Sequence, residues 1–233
     1  MATNSSLSTK PSSKPLPSDG EGNQIHNKIL VDLPTKERET LFSKVEFVRF
    51  EARHVLHEPG DTLKSAYFCD SGLISILSVF SDGKGVEVGL VGKDGFIGIP
   101  LVAGFRTAST RAVAQIDATA FRIDSERLAR ILPECPQLER RLQQFLQVMA
   151  MEVTQIAACN RLHEVDEGLA RWLLMSTDRI GSSFLAVTPE AGVRRIAKDV
   201  LRSIANRTPG LQNPLGQFDF IKFENRVLIQ HLP

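Results

Sequence analysis

The side chains of this 233-residue chain that could do covalent or metal chemistry do not gather at working spacings. Cys69, Cys135 and Cys159 lie far apart, with no Cys-x-x-Cys or Cys/His ligand spacing. They are expected to be buried thiols, with neither a metal or iron–sulfur centre nor a disulfide framework. His54, His57 and His163 have no ligand partner at local spacing, so neither metal nor haem is expected. Asp82, Glu87 and Asp94 could suggest an acid–base pair, but two of them sit beside turn glycines and no nucleophile or base accompanies them. Solvated turn carboxylates are the expectation. The phosphate-loop pattern GxxxxGK[ST] and the HExxH zinc pattern are both absent. No catalytic residue is therefore named, and the chain is not expected to be an enzyme. Binding chemistry remains. Val193, Ile196, Val200, Leu201 and Ile204 fit one amphipathic helix that carries Arg194, Arg195, Lys198 and Arg202. From Val187 onward, seven basic residues stand against four acidic ones. That excess suits DNA phosphates, and it also suits an ordinary solvated helix face.

Any such site must be local, because the whole chain has 28 basic and 27 acidic residues and exerts no overall pull on nucleic acid. No apolar run reaches about 18 residues, and the N-terminus is rich in Ser, Pro and Lys without an apolar core, so a cytoplasmic protein with no membrane partner is expected. Residues 1–24 bury almost nothing and are expected to be disordered. A short helical entry follows around PTKERE, with Thr35 as its cap.

Between Val45 and Ile123, short β-branched or aromatic runs alternate with Gly, Asp and Ser punctuation about every ten residues, which predicts an antiparallel sandwich or barrel. Ser81 to Gly85 reads as a hairpin turn. The period then changes. From Pro136 to about Asn160, Leu138, Leu142, Phe145, Met149, Val153 and Ile156 recur at steps of four and three with no glycine or internal proline. This predicts a long amphipathic helix whose stripe either covers its own domain or pairs with a second copy of the chain. Val165, Leu169, Trp172, Leu173 and Ile180 predict a second helix ending at Gly181.

The segments EPGD (58–61), YFCDSGLISIL (67–77), VGLVGKDGFIGIPLVAG (88–104) and STRAVAQIDATAFRI (109–123), followed by the long helix, resemble the Crp/Fnr family of bacterial transcription regulators. The resemblance implies an α+β chain in four parts. These are a disordered tail (1–24), a jelly-roll-like β-roll of the cyclic-nucleotide-binding type (25–132), a dimerisation helix (133–162) and a winged helix-turn-helix domain (163–233). In that frame the stripe from Leu138 to Ile156 is expected to form the dimer interface. The expected function is signal-modulated binding of double-stranded DNA by a homodimer, with RNA polymerase as a further partner.

The family's ligand segment corresponds to Gly95–Arg111, where Gly98, Ile99, Ser109, Thr110 and Arg111 are the candidate ligand residues. Cyclic-AMP-binding relatives carry Gly-Glu-Leu where this chain has Gly98-Ile99-Pro100, so the ribose carboxylate is missing. Arg111 follows Ser109 and Thr110 where an arginine would be expected to precede them. Cyclic AMP is disfavoured on both counts, and the effector, if there is one, is another small molecule.

After Glu190 the resemblance breaks. Pro209, Gly210, Pro214 and Gly216 leave no room for a multi-turn recognition helix. The competing expectation is therefore a ligand-binding and dimerisation module whose altered C-terminus no longer binds DNA specifically.

Overall fold

The computed structural model describes residues 18, 22, 24–162 and 165–181. The expectations for the N-terminal tail, His163, the winged helix-turn-helix and Arg194, Arg195, Lys198 and Arg202 fall outside the described residues.

Two short helices open the described chain, α1 (Lys28–Val31) and α2 (Thr35–Phe42). Eight strands follow: β1 (Glu46–Phe50), β2 (Val55–His57), β3 (Ser65–Ser71), β4 (Ile74–Val79), β5 (Gly85–Val91), β6 (Phe96–Ile97), β7 (Arg111–Ala114) and β8 (Ala118–Asp124). A four-residue helix, α3 (Ile99–Val102), stands between β6 and β7. Three helices close it: α4 (Ser125–Ile131), the long α5 (Pro136–Leu162) and α6 (Val165–Ile180). The strands form two antiparallel sheets, in the orders β1-β8-β3-β6 and β2-β7-β4-β5. The expected α+β antiparallel roll is the fold observed for these residues.

Period-2 alternation puts Ala66 and Phe68 of β3 and Phe121 and Ile123 of β8 into the core, with Phe96 of β6 beside them. Phe68 and Phe96 meet with ring centroids 4.8 Å apart, and Phe42 meets Phe121 edge-on at 5.0 Å. The expected turn at 81–85 joins β4 to β5, with Gly83 at φ 82° and the Asp82 carboxylate accepting from the Lys84 N–H.

Three local features differ from the expectations. The N-cap of α2 is Pro34, not Thr35, and no side chain caps it. The run RAVAQIDATAFRI (111–123) is two strands, β7 and β8, because the chain bends at Gln115 and Ile116. Helix α4 had no counterpart among the expectations, although Asp124 starts it in the standard way by accepting from the N–H groups of Glu126 and Arg127.

Asn27 ties the N-terminal segment to the roll. Its buried side chain donates to the carbonyls of Cys69 at 2.7 Å and Gly95 at 2.9 Å, and its oxygen accepts from the N–H groups of Ile29 and Leu30. Asn27→Ala removes all four bonds and leaves buried backbone groups unmet. A loss of about 2–3 kcal/mol in denaturant unfolding is expected.

Helix α5 has 27 residues and spans about 40 Å at 1.5 Å per residue. Pro136 suits its first turn, and the Glu37 carboxylate accepts from the N–H groups of Gln137 and Leu138, placing negative charge at the positive end of the helix. Here the dimer-interface assignment is corrected. Leu138, Leu142, Phe145 and Met149 are buried within the single chain, in the same core as Ile74, Val91 and Phe96. They cover the roll and are not available to a partner. Val153 is exposed and Ile156 half-buried. The physical reason is that α1, α3 and β5 present apolar residues such as Ile29, Leu101 and Val91, and the first half of α5 is the element that covers them.

Candidate functional site

Candidate ligand residues sit in the cassette between β6 and β7. Gly98 adopts φ 111°, and a Cβ there would lie 2.8 Å from Ala66 Cβ and 3.2 Å from Ala66 Cα, so glycine is required on both counts. It opens α3, whose Ile99, Leu101 and Val102 pack against the main core. Ile99 thus faces apolar neighbours and offers no hydrogen bond to a sugar hydroxyl.

The second half of the cassette is strapped to the loop after β2. Gly60 N–H donates to Ala108 O, Ala108 N–H to Asp61 O, and Leu63 N–H to Arg106 O, at 2.8–2.9 Å. This strap sets Arg111 beside Glu58, and Arg111 Nε donates to Glu58 Oε2 at 2.8 Å. A carboxylate therefore occupies Arg111, one of the two arginines that the segment offers for a phosphate. Ser109 is exposed and Thr110 half-buried. Among the described residues, no hydrogen bond joins Ser109, Thr110 or Arg111 to Gly98 or Ile99. The other arginine of the segment, Arg106, is 58% exposed and lies 4.0 Å from Glu126.

Nearby His57 is held below the usual histidine range by burial, against the pull of Asp61 and Glu58. His54 stacks on Phe50 with centroids 5.0 Å apart. Among the described residues, no group of three or more His, Cys, Asp or Glu is placed to hold a metal. All three cysteines are free and buried, and burial first, then Asp94 and Asp70, pushes the Cys69 thiol far above its ordinary range.

A second polar cluster was not legible in the sequence. Of the three carboxylates expected to be solvated, only Asp82 is, paired with Lys84 in the open turn. Asp94 is buried and Glu87 lies against α6. Glu87 accepts from Ser75 Oγ at 2.8 Å, Gln115 Nε2 at 2.7 Å and Trp172 Nε1 at 2.7 Å. Burial raises its carboxyl above the ordinary range, opposed by the Ser75 and Trp172 hydrogen bonds and by Arg179 and Arg171. Around it, Leu73, Leu90 and Met175 make a small apolar core with Ile116, Trp172 and Ile180 at its edge. Further along, Arg179 Nη2 donates to Glu152 Oε2 of α5 at 2.7 Å, and Arg179 Nε lies 4.0 Å from Asp94 Oδ1. The missed signal was Glu87 of β5 and Asp94 of the following turn, whose partners on α6 are Trp172 and Arg179 respectively, each 85 residues later.

The rest of α5 carries a feature that a single-stripe reading overlooked. Leu146 is 37% and Val153 42% exposed. With the exposed Ala150 and Ala157 they repeat at steps of four, three and four, a narrow apolar seam one residue around the helix from the buried stripe.

Residues 47–135 match the family model of the cyclic nucleotide-binding domain. No curated protein sequence matches the chain. Among solved structures, it is similar to the c-di-GMP responsive global regulator CLP of Xanthomonas campestris, at 18% identity over 74% of this chain and 90% of that one, with a TM-score of 0.58. FixK2 from Bradyrhizobium japonicum matches at 15% identity over 62% of this chain and 69% of that one, with a TM-score of 0.52. A cyclic nucleotide-binding domain from Methylobacillus flagellatus KT matches at 17% identity over 60% and 84%, with a TM-score of 0.50. At these identities the likeness is one of fold. Residues 47–135 are a match to the cyclic nucleotide-binding domain family, and the chain's structural neighbours are found among regulators of the Crp/Fnr type.

Proposed function

We propose that this chain is a signal-responsive transcription regulator of the Crp/Fnr type, acting as a homodimer on double-stranded DNA and not as an enzyme. One observation carries the reading: a cyclic-nucleotide-binding-type roll is followed directly by a helix of 27 residues that leaves an apolar seam at Leu146, Ala150, Val153 and Ala157 uncovered by its own chain. A seam of that width and period suits a parallel helix pair. The dimer interface is assigned to this seam. Signal reception is assigned to the cassette from Gly98 to Arg111, and DNA contact to the basic residues Arg194, Arg195, Lys198 and Arg202.

Cyclic AMP is not the proposed signal. Ile99 cannot accept from a ribose 2′-OH, and a cyclic phosphate would have to displace Glu58 from Arg111. An effector of other chemistry is proposed, with RNA polymerase as the downstream partner.

The test is a mass measurement joined to a gel-shift titration. Full-length protein is expected to be dimeric at micromolar concentration and to prefer palindromic to random duplexes at matched salt. Leu146→Glu/Val153→Glu is expected to give a folded monomer and to weaken operator binding at least about tenfold, because each half-site then binds alone. A dimer that binds palindromic and random DNA equally would favour a sensing and dimerisation module without specific DNA binding. A monomeric wild-type chain would remove the reading altogether.

A further inference from the structure

We propose that α6 is a separately releasable element, docked on the outer face of the β4–β5 sheet and latched there by Arg179. Three observations that do not depend on one another support it.

The first is the ionic contact. Arg179 is buried, and it joins three parts of the chain: α6 itself, Glu152 on α5, and Asp94 in the turn between β5 and β6. Its bond to Glu152 is fully formed at 2.7 Å. Its Nε, also buried, makes no hydrogen bond, and the nearest Asp94 oxygen recorded with it stands 4.0 Å away. A charged donor buried without an acceptor is costly. The latch is therefore closed on the long helix by a short hydrogen bond and meets the roll through a longer ion pair.

The second observation is steric. A Cβ on Gly92 would lie 2.7 Å from Arg179 Cβ and 2.9 Å from its carbonyl oxygen. Backbone meets backbone here, and only glycine leaves room for α6 to approach the turn this closely. Gly92 does not need glycine for its own backbone angle, since it is not among the residues with positive φ.

The third is the composition of the docking surface. It holds the Glu87–Trp172 hydrogen bond and the small core of Leu73, Leu90 and Met175, set apart from the main core of the roll. An interface that is small, partly polar and separate from the main core is the kind that opens as its own unit. Asp94 lies four residues before Gly98, so the latch and the cassette share one short stretch of chain. The latch extends the sensor reading given above, yet its test uses neither ligand nor DNA, so the two can fail separately.

Trp172 is the only tryptophan of the chain and reports directly on the dock. Full-length Gly92→Ala and Arg179→Met are compared with wild type by tryptophan emission and by amide hydrogen exchange. The latch requires a red-shifted emission in both variants. It also requires residues 171–180 to lose protection by at least about tenfold while β3 and β8 keep theirs. Gly92→Ala is the milder variant, because it wedges the dock without unpairing a buried charge. The proposal is overturned if Gly92→Ala leaves emission and protection of 171–180 at wild-type values. It is equally overturned if β3 and β8 lose protection in step with α6 in that variant, since α6 would then belong to one cooperative unit with the roll.

Discussion

Phe145→Ala will lower the unfolding free energy by about 3–5 kcal/mol in a urea titration, and the folded fraction will keep whatever self-association the wild type has. Phe145 is 2% exposed and sits in the main core with Leu142, Met149 and Val91. The ring is so close to the β5–β6 turn that a Cβ on Gly95 would lie 2.8 Å from its Cζ. No neighbour can collapse into the space of a lost phenyl ring without moving that turn, so the full cavity penalty applies. The same geometry decides how the dimer should be tested. Leu142→Glu or Met149→Glu would place a carboxylate in the roll's core and unfold it, which would imitate a loss of dimer for an unrelated reason. Leu146 and Val153 are the positions that separate the two effects. A Phe145→Ala protein that loses less than about 1 kcal/mol and becomes monomeric would show that this face is an interface after all.

Gly72→Ala is expected to be nearly as damaging, at about 3–5 kcal/mol, from the addition of one methyl group. Two effects combine there. The residue has φ 82°, which side chains other than glycine's rarely adopt. Its Cβ would also lie 2.5 Å from both the Asp117 carbonyl oxygen and Ala118 Cβ, and 2.6 Å from Ala118 Cα. Those atoms belong to the turn between β7 and β8, which Asp117 anchors by accepting from the Ala52 N–H at 2.9 Å. The turns from β3 to β4 and from β7 to β8 both carry the chain from one sheet to the other, and they touch at Gly72. Backbone overlap at that point cannot be relieved by rotating a side chain. Gly83→Ala is the control. Its φ is also 82°, but nothing lies within 4 Å of its Cβ position, so only the backbone term of about 1 kcal/mol should remain. Thermal or urea unfolding of the two variants side by side checks the prediction. Equal losses would show that conformation and not contact sets the cost at Gly72.

Much of the roll could be read without coordinates because it rests on local rules. Alternation with period 2 marks the strands, the Asp82-Gly83 turn closes a hairpin, and an uninterrupted run of helix formers gives α5. β6 and α3 were harder to see, because two and four residues are too few to show a period. In the cassette, the missing ribose carboxylate was visible as Ile99, whereas the engagement of Arg111 by Glu58 was not. Those two residues are 53 positions apart and meet only because the loop after β2 is strapped to the cassette. The cluster around Glu87, Asp94 and Arg179 escaped for the same reason.

By itself the sequence determined that α5 is a long amphipathic helix and that it follows an antiparallel roll. It could not determine which way the helix faces. A spacing of three and four residues says that a stripe exists, and two such stripes lie side by side here: Leu138 to Met149, and Leu146 to Ala157. Only the tertiary structure decided that the first is core and the second is exposed, since that depends on where the apolar residues of α1, α3 and β5 lie relative to the helix axis. Burial is a property of what surrounds a side chain. The surroundings of α5 are set by strands up to about a hundred residues away, whose positions helical periodicity does not encode.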